Sequence, residues 1–407
     1  MIDVLKLAVI FIAIVVVLRK KVFVGYILFG AGLLTAILFQ ANYKDILIGY
    51  GELFISDQFW KLYVIIILIT FMGRILREIG YLDRLVKASE NLIGGARTIA
   101  MVLPALVGLM PMPGGALLSA PLVGQVLSDQ KYSRELKTTV NYWSRHVIEF
   151  CWPVYPGLVL TGAITGLPVG KIALLNLPMT LVMIPLGYFF LIRRIDAGEN
   201  NGHQFFRPAG KILARIWPII LAISIYGIFD IPLVYAIAIA LIVLLLRGRP
   251  SLKTIKICAA EAIHPRLFVL VFGVLSFQKM LELTGAIGSI TKLSTELGFP
   301  AELVIILVSF SAGLLTGILF ALIGLGFPLL AGYLYYPDIN LAHIFLAFIA
   351  GYVGMIFSPT HFCLILTNEH FKSNLGRVYK LLTLPLVLLF MAGFVLYLTG
   401  YPWGIFG

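Results

Sequence analysis

The strongest constraint on this chain is the recurrence of apolar runs long enough to cross a lipid bilayer. A spanning helix needs about 20 mostly apolar residues. Runs of that kind fall over 3–18, 22–40, 58–76, 144–164, 171–192, 214–229, 231–246, 266–280, 344–366 and 380–399. The 407 residues are 60% hydrophobic and 12% charged, whereas soluble domains carry roughly a quarter charged residues. A water-soluble globule is thereby excluded, and the expected fold class is an all-α polytopic membrane protein with no soluble domain.

The 31 Lys and Arg against 19 Asp and Glu are read as cytoplasmic loops rather than as a nucleic-acid surface. If the ten runs cross once each and the amino terminus lies outside, all the basic residues except Lys6, Lys44, Lys61, Lys171, Lys279 and Lys292 fall on the inner side. The first run has its basic cluster after it and no small-residue cleavage site, so it reads as a first span and not a removed signal. Both termini are then expected outside an inner (cell) membrane. Cys151, Cys258 and Cys363 lie in or beside apolar runs, and their odd number proposes no disulfide framework. They are read as buried thiols.

Two further apolar stretches, 98–127 and 301–335, differ in kind. The first has Pro111-Met112-Pro113-Gly114-Gly115 at its centre, which removes two backbone donors and adds two flexible residues where a helix should be most regular. Each half is too short to span and reads as one arm of a re-entrant hairpin. The second is rich in glycine, including Gly313, Gly317, Gly324 and Gly326, and carries Pro328. Irregular backbone at membrane depth survives only where protein or a water-filled cavity surrounds it.

Self-comparison divides the chain into two related halves, 1–200 and 201–407. The segment from Cys151 (CWPVYPGLVLTGAITGLP) lies against that from Phe357 (FSPTHFCLILTNEHFKSN), with Pro153 meeting Pro359 and Leu160-Thr161 meeting Leu366-Thr367. Pro121 is aligned with Pro328. Each half holds five crossings and one hairpin, and an odd number of crossings inverts the second copy relative to the first. Inverted repeats with discontinuous helices at the midplane are the architecture of secondary transporters. No Gly-x-x-x-x-Gly-Lys-Ser/Thr phosphate cradle is present, so transport would run on an ion gradient or be passive.

The chemistry concentrates where proline interrupts a span. In NYWSRHVIEFCWPVYPG, Arg145, His146 and Glu149 enter an apolar run that Pro153 and Pro156 then unwind, beside Tyr155. The i, i+3 and i, i+4 spacings let all three charged groups share one helix face. An ionisable group inside a span is a functional candidate by default. The alternative places Arg145 and His146 at the cytoplasmic interface with Glu149 paired to Arg145, and for Arg145 that interfacial reading is preferred. In the second half, Ser358, Thr360 and His361 surround Pro359, whose missing donor frees carbonyls for a cation or substrate. His361 could bind an anion or shuttle a proton; the plainer reading has it donating to a freed carbonyl.

The tips, Pro111 to Ala116 with Pro113, Gly114 and Gly115, and Thr316 to Ala321 with Gly317, would bring half-helix ends toward the midplane. Amino ends suit an anion and carbonyls suit Na⁺, so Na⁺ is the one cofactor-like ion expected. Ser119, Asn141 and Thr161 rank lower, as helix-to-helix hydrogen bonds. The moderately polar stretches 77–97 and 281–300 fit helices lying along the membrane surface.

The strings NYWSRHVIEFCWPVYPG, LMPMPGGALLSAPL and SPTHFCLILTNEHFKSNLGRVY resemble the prokaryotic integral-membrane family called domain of unknown function 401, over nearly the whole chain. That family is grouped with the ion transporter superfamily, beside citrate, gluconate, dicarboxylate and arsenite transporters. The resemblance implies two re-entrant hairpins, a homodimer and an elevator-like moving unit, and it names no substrate. The dicarboxylate-type relatives carry Ser-Asn-Thr motifs at their tips, from which this sequence departs. The expected function is a secondary active transporter of a small, carboxylate-like anion, coupled to Na⁺ or H⁺. A cation/proton antiporter is the alternative. A membrane-embedded enzyme is the less favoured alternative, since neither His-Glu-x-x-His nor Gly-x-Ser-x-Gly occurs.

Overall fold

The computed structural model describes residues 2–20, 22–81, 84, 95–110, 114–128, 131–196 and 216–405. Pro111 and Pro113, most of the stretch 77–97 and the junction between the two halves lie outside the described residues. Among the described residues every regular element is helical, and the protein is an all-α, multi-pass membrane protein. Four helical stretches among the described residues are long and apolar enough to cross a membrane, namely Asp57–Glu78, Val169–Arg194, Leu252–Leu283 and Leu375–Leu398.

The first half runs α1 (Ile2–Arg19), α2 (Val24–Leu38), α3 (Tyr43–Ile55), α4 (Asp57–Glu78), α5 (Gly95–Gly108), α6 (Ala116–Val126), α7 (Arg134–His146), α8 (Pro156–Thr165) and α9 (Val169–Phe190). The second runs α10 (Trp217–Phe229), α11 (Leu233–Gly248), α12 (Leu252–Ala262), α13 (Pro265–Leu283), α14 (Ile287–Glu296), α15 (Ala301–Thr316), α16 (Leu319–Leu329), the short α17 (Ala331–Leu334), α18 (Leu341–Ile356), α19 (Phe362–Phe371) and α20 (Leu375–Leu398).

Several bounds differ from those read off hydropathy. Helices α3 and α12 stand where connecting loops were expected, because their mixed polarity hides them from an apolar window. The stretches 144–164 and 344–366 are each two helices separated by an irregular break, and the first helix of each pair begins earlier, at a polar cap. Ser133 Oγ accepts from Leu136 N at 3.1 Å and Asn340 Oδ1 from His343 N at 3.0 Å, each satisfying an amide that a helix start leaves unpaired. Helices α6 and α16 are both 11 residues long, and aligning their starts sets Pro121 against Gly324 rather than Pro328.

Packing comes in exchanged pairs. Helix α2 lies on α13 while α11 lies on α4; α3 packs on α13 while α12 packs on α4; α6 meets α19 while α16 meets α8. Such reciprocity is what an approximate twofold relation between two similar units produces. The crossings are close because they are lined with glycine. A Cβ on Gly273 would strike the carbonyl of Gly25 in α2, and one on Gly313 the carbonyl of Gly351 in α18. Without a hydrophobic drive between helices in lipid, such backbone approach is a main source of adhesion.

Helices α15 and α16 form a hairpin. The turn is at Gly317, whose φ of +63° is one that other residues resist. A Cβ on Gly326, nine residues after it, would lie 3.4 Å from Ala312 Cβ and 4.0 Å from Ser309 Cα, five and eight residues before it. The chain therefore returns along itself. Outward apolar side chains at helical spacing, such as Val387, Met391, Val395 and Leu398 on α20, give the surface that lipid would cover.

Candidate functional site

The two breaks, residues 147–155 between α7 and α8 and residues 357–361 between α18 and α19, lie against each other in the interior. Each helix that stops there leaves carbonyls without helical partners. Side chains of the opposite half supply two of them: Tyr352 Oη donates to His146 O at 2.6 Å, and Tyr142 Oη donates to Ile356 O at 3.0 Å. These carbonyls belong to the last residues of α7 and α18, and each tyrosine stands four residues before the end of its own helix. Thr180 Oγ1 on α9 donates to Val147 O at 2.9 Å.

The hairpin arms end on the breaks as well, and here the halves differ in chemistry. At the end of α5, Tyr155 Oη donates to Gly108 O and Trp152 Nε1 to Leu109 O at 3.0 Å. At the end of α15, the donors are hydroxyls. Ser358 Oγ donates to Leu314 O at 2.7 Å, Thr360 Oγ1 to Leu315 O at 3.5 Å, and the two hydroxyls lie 2.8 Å apart. The first break thus presents aromatic rings, the second small oxygen donors of the kind a hard cation accepts.

Four helix amino ends gather at this place. A Cβ on Gly114, just before α6, would touch Phe362, the first residue of α19, at 3.9 Å. A Cβ on Gly157 in α8 would run into Leu319, the first residue of α16, and one on Gly317 would come within 2.8 Å of His361 N. Short helices pointing their amino ends inward offer unpaired N–H groups and positive dipole ends to an anion. Among them sits Arg145, only 5% exposed, its guanidinium against the cap of α6, where a Cβ on Gly115 would overlap it. The interfacial reading of Arg145 is therefore corrected. Helix α7 runs a full turn and more beyond the expected boundary on its amino side, which carries Arg145 inward.

Glu149 does not share a helix face with Arg145 and His146, because α7 stops at His146 and the chain turns tightly, Glu149 N bonding His146 O at 3.2 Å. Its carboxylate nonetheless stays 3.8 Å from His146 Nε2. His146 and His361, from opposite halves, meet with their Nε2 atoms 3.0 Å apart. Both rings pack on Tyr142, with centroids 4.8 and 5.2 Å from it. Cys363 completes the cluster. One ligand-type atom from each of His146, His361 and Cys363 lies within 4.8 Å of the others.

The remaining expected residues fall as follows. Pro153 is buried in the first break, and Pro359 and Thr360 are exposed at the second. Thr316 turns its hydroxyl back to Ala312 O at 2.8 Å, Ser119 to Gly115 O at 3.4 Å and Thr161 to Gly157 O at 2.8 Å, so these three serve their own helices. Asn141 Nδ2 donates to Thr367 Oγ1 at 3.0 Å. Hydropathy reasoning passed over Tyr142, Tyr352, Trp152 and Cys363. The signal for the two tyrosines was their equal distance ahead of a break in each half.

A surface hollow of about 570 Å³, lined by Tyr333, Tyr336, Asp338, Asn340 and His343, is not this site. It opens at the amino end of α18, about 24 Å along a 16-residue helix from the break.

Fold and site together define a helical multi-pass membrane protein whose interior holds a polar cluster built from two broken helices. The chain belongs to the family described as protein of unknown function (DUF401), whose model matches residues 3–399. No curated protein matches it significantly.

Proposed function

We propose that this protein is a secondary active transporter of a small, carboxylate-like anion, working in the inner membrane of a prokaryotic cell and driven by a Na⁺ or H⁺ gradient. The observation that carries the reading is the meeting of four helix amino ends with the buried Arg145 guanidinium. That arrangement concentrates positive potential in a place where lipid supplies none. The two breaks come from halves with exchanged packing, as in inverted repeats around a central site.

Ion pairs favour the layout. Arg74 bonds Glu261 and Lys131 bonds Asp196, linking loops assigned to the inner side, whereas Lys279 bonds Glu52 at 2.9 Å between loops assigned outside. Both termini then lie outside. Helices α1–α4 with α10–α13 form one packed group and the hairpins with the broken helices another, which suits a scaffold and an elevator-like moving unit in a homodimer. Na⁺ would suit the hydroxyls of Ser358 and Thr360 beside the end of α15; H⁺ would suit Glu149 and the histidines.

The test is the thermal stability of purified protein against carboxylates, sugar acids and phosphate, each with Na⁺ or K⁺ at fixed ionic strength and two pH values. A ligand at 100 times its Kd stabilises by about 2.7 kcal/mol. The proposal expects one anion class to stabilise the protein and Arg145→Gln to abolish the response. Stabilisation by Na⁺ or pH alone, with every anion silent, would favour a cation/proton antiporter, the reading to which the buried Glu149 also lends itself. Uptake unchanged in both Glu149→Gln and His361→Ala would remove those two residues from the mechanism.

A further inference from the structure

The paired histidines face each other in the interior, with the Cys363 thiol hydrogen-bonded to His146 beside them. His146 Nδ1 lies 2.6 Å from Tyr142 O and His361 Nδ1 lies 3.3 Å from Met355 O. A carbonyl oxygen only accepts, so both Nδ1 atoms carry the hydrogen. In the neutral rings both Nε2 atoms then present lone pairs, and these are the two atoms that face each other at 3.0 Å. Two imidazole lone pairs and a thiol sulfur gathered at one point are also a donor set that a metal cation accepts.

The surroundings specify the cation. An Nδ1–H held by a backbone carbonyl is the usual outer-shell arrangement of a metal-ligating histidine, fixing the tautomer and aiming Nε2. A sulfur stands third, since the Cys363 thiol is hydrogen-bonded with His146 and Arg145 and its Sγ is within 4.8 Å of a ligating nitrogen of each ring. Two imidazoles and a thiolate suit a borderline-to-soft transition metal and not Na⁺, Mg²⁺ or Ca²⁺. A tetrahedral Zn²⁺ with bonds of about 2.0–2.1 Å to nitrogen and 2.3 Å to sulfur sets N···N near 3.3 Å and N···S near 3.6 Å. The nitrogens already stand close to that separation, and the sulfur approaches by a rotation about the Cys363 side chain. Glu149, 3.8 Å from His146 Nε2, is placed to supply a fourth ligand.

We infer that His146, His361 and Cys363 form a binding site for a Zn²⁺-like transition-metal ion, with Glu149 as fourth ligand. The ion would join the two halves through one break, since His146 and Glu149 come from the first half and His361 and Cys363 from the second. Binding releases the thiol proton to solvent as the Cys363 thiolate forms its bond to the metal. This inference concerns binding alone and does not depend on transport; the anion panel above contains no transition metal, so the two readings fail separately.

Cobalt(II) is the probe, titrated into the purified, detergent-solubilised full chain carrying Cys151→Ala and Cys258→Ala, so that Cys363 is the one thiol left. The expected result is one cobalt per chain, with a thiolate-to-cobalt charge-transfer band in the near ultraviolet and tetrahedral ligand-field bands in the visible, all displaced by Zn²⁺. Cys363→Ser should remove the charge-transfer band, and His146→Ala or His361→Ala should weaken binding by at least about tenfold. Should the double-alanine background not fold, zinc-edge X-ray absorption of the unsubstituted protein answers the same question, one sulfur and two imidazole nitrogens being expected. Absence of the band, its persistence in Cys363→Ser, or a zinc shell of oxygen alone would overturn the inference. A single proton shared by the two histidines would appear as no cobalt band at any pH at which the protein stays folded, and would overturn it too.

Discussion

Tyr352 donates its phenolic hydrogen to the carbonyl of His146, 2.6 Å away and 206 residues distant in sequence. The bond closes the carboxyl end of α7 with a side chain from the other half, and Tyr142 returns the favour to Ile356 at 3.0 Å. Both hydroxyls are fully buried with their rings. Removing one leaves a carbonyl orphaned away from water, which costs about 1–3 kcal/mol. Tyr352→Phe should therefore lower stability by that amount, and Tyr142→Phe by a similar amount. Unfolding of the purified variants in detergent measures it. Equal stability of both variants and the parent would show that the two carbonyls find other partners.

The glycine crossings lead to a second expectation. A Cβ on Gly273 would press on the carbonyl of Gly25 across the α2–α13 crossing, and one on Gly354 on the carbonyl of Phe310 across α15–α18, whereas a Cβ on Gly30 meets nothing within 4 Å. Backbone cannot swing aside as a side chain does. Gly273→Ala and Gly354→Ala should each destabilise by about 1–3 kcal/mol, as overpacking does. Gly30→Ala, exchanging a poor helix former for the best one, should be neutral or stabilising by up to about 1 kcal/mol. Melting curves of the three variants side by side decide it, and a loss in Gly30→Ala equal to the others would mean that helix propensity, not contact, governs these positions.

Much of this arrangement could be read from the chain itself, and the reasons it could not all be read are specific. The breaks were visible because Pro153, Pro156 and Pro359 cannot continue a helix in apolar surroundings. His361 and Glu149 stood out because charge is costly there. What hydropathy cannot give is which residues of one half touch which of the other. His146 and His361 sit 215 positions apart, and nothing local to either tells of their meeting. Arg145 was misplaced for a related reason: its side chain reaches inward to Gly115, a contact between segments that sequence spacing does not encode. Helices α3 and α12 were missed because each is short and mixes polar with apolar residues.

Outside the membrane-facing interior, Asp196 offers a dependence on pH. Its carboxylate accepts from Lys131 Nζ at 2.5 Å, and that bond, with the Lys131 charge, holds its pKa below the ordinary value of 3.8. A group whose folded pKa is depressed contributes stability above its unfolded pKa and loses it as pH falls through the folded value. Asp196 is fully exposed to solvent, so the contribution is small and screened by salt. Asp196→Asn should melt slightly below the parent at neutral pH and low salt, and the two curves should converge as pH falls below the ordinary carboxylate range. Melting temperatures across that range test it; a gap that persists in acid would assign the difference to something other than the charge.

Gly115 bears most directly on what the interior binds. Its backbone is right-handed, with φ −56° and ψ −20°, so alanine fits there without strain, in contrast to Gly114 at φ +76°. The consequence of Gly115→Ala is thus confined to space: the new methyl occupies the volume in which the Arg145 guanidinium lies. If that guanidinium and the amino end of α6 hold an anion together, displacing it should weaken anion binding by tenfold or more, which is about 1.4 kcal/mol, while the fold remains. The measurement is the anion-induced rise in melting temperature, with Gly30→Ala as the control that should keep the parent response. Retention of the full response in Gly115→Ala would place the anion away from Arg145. Loss in the alanine variant with recovery in Gly115→Ala combined with Arg145→Lys, whose slimmer head avoids the methyl, would tie the anion to the charge at that point.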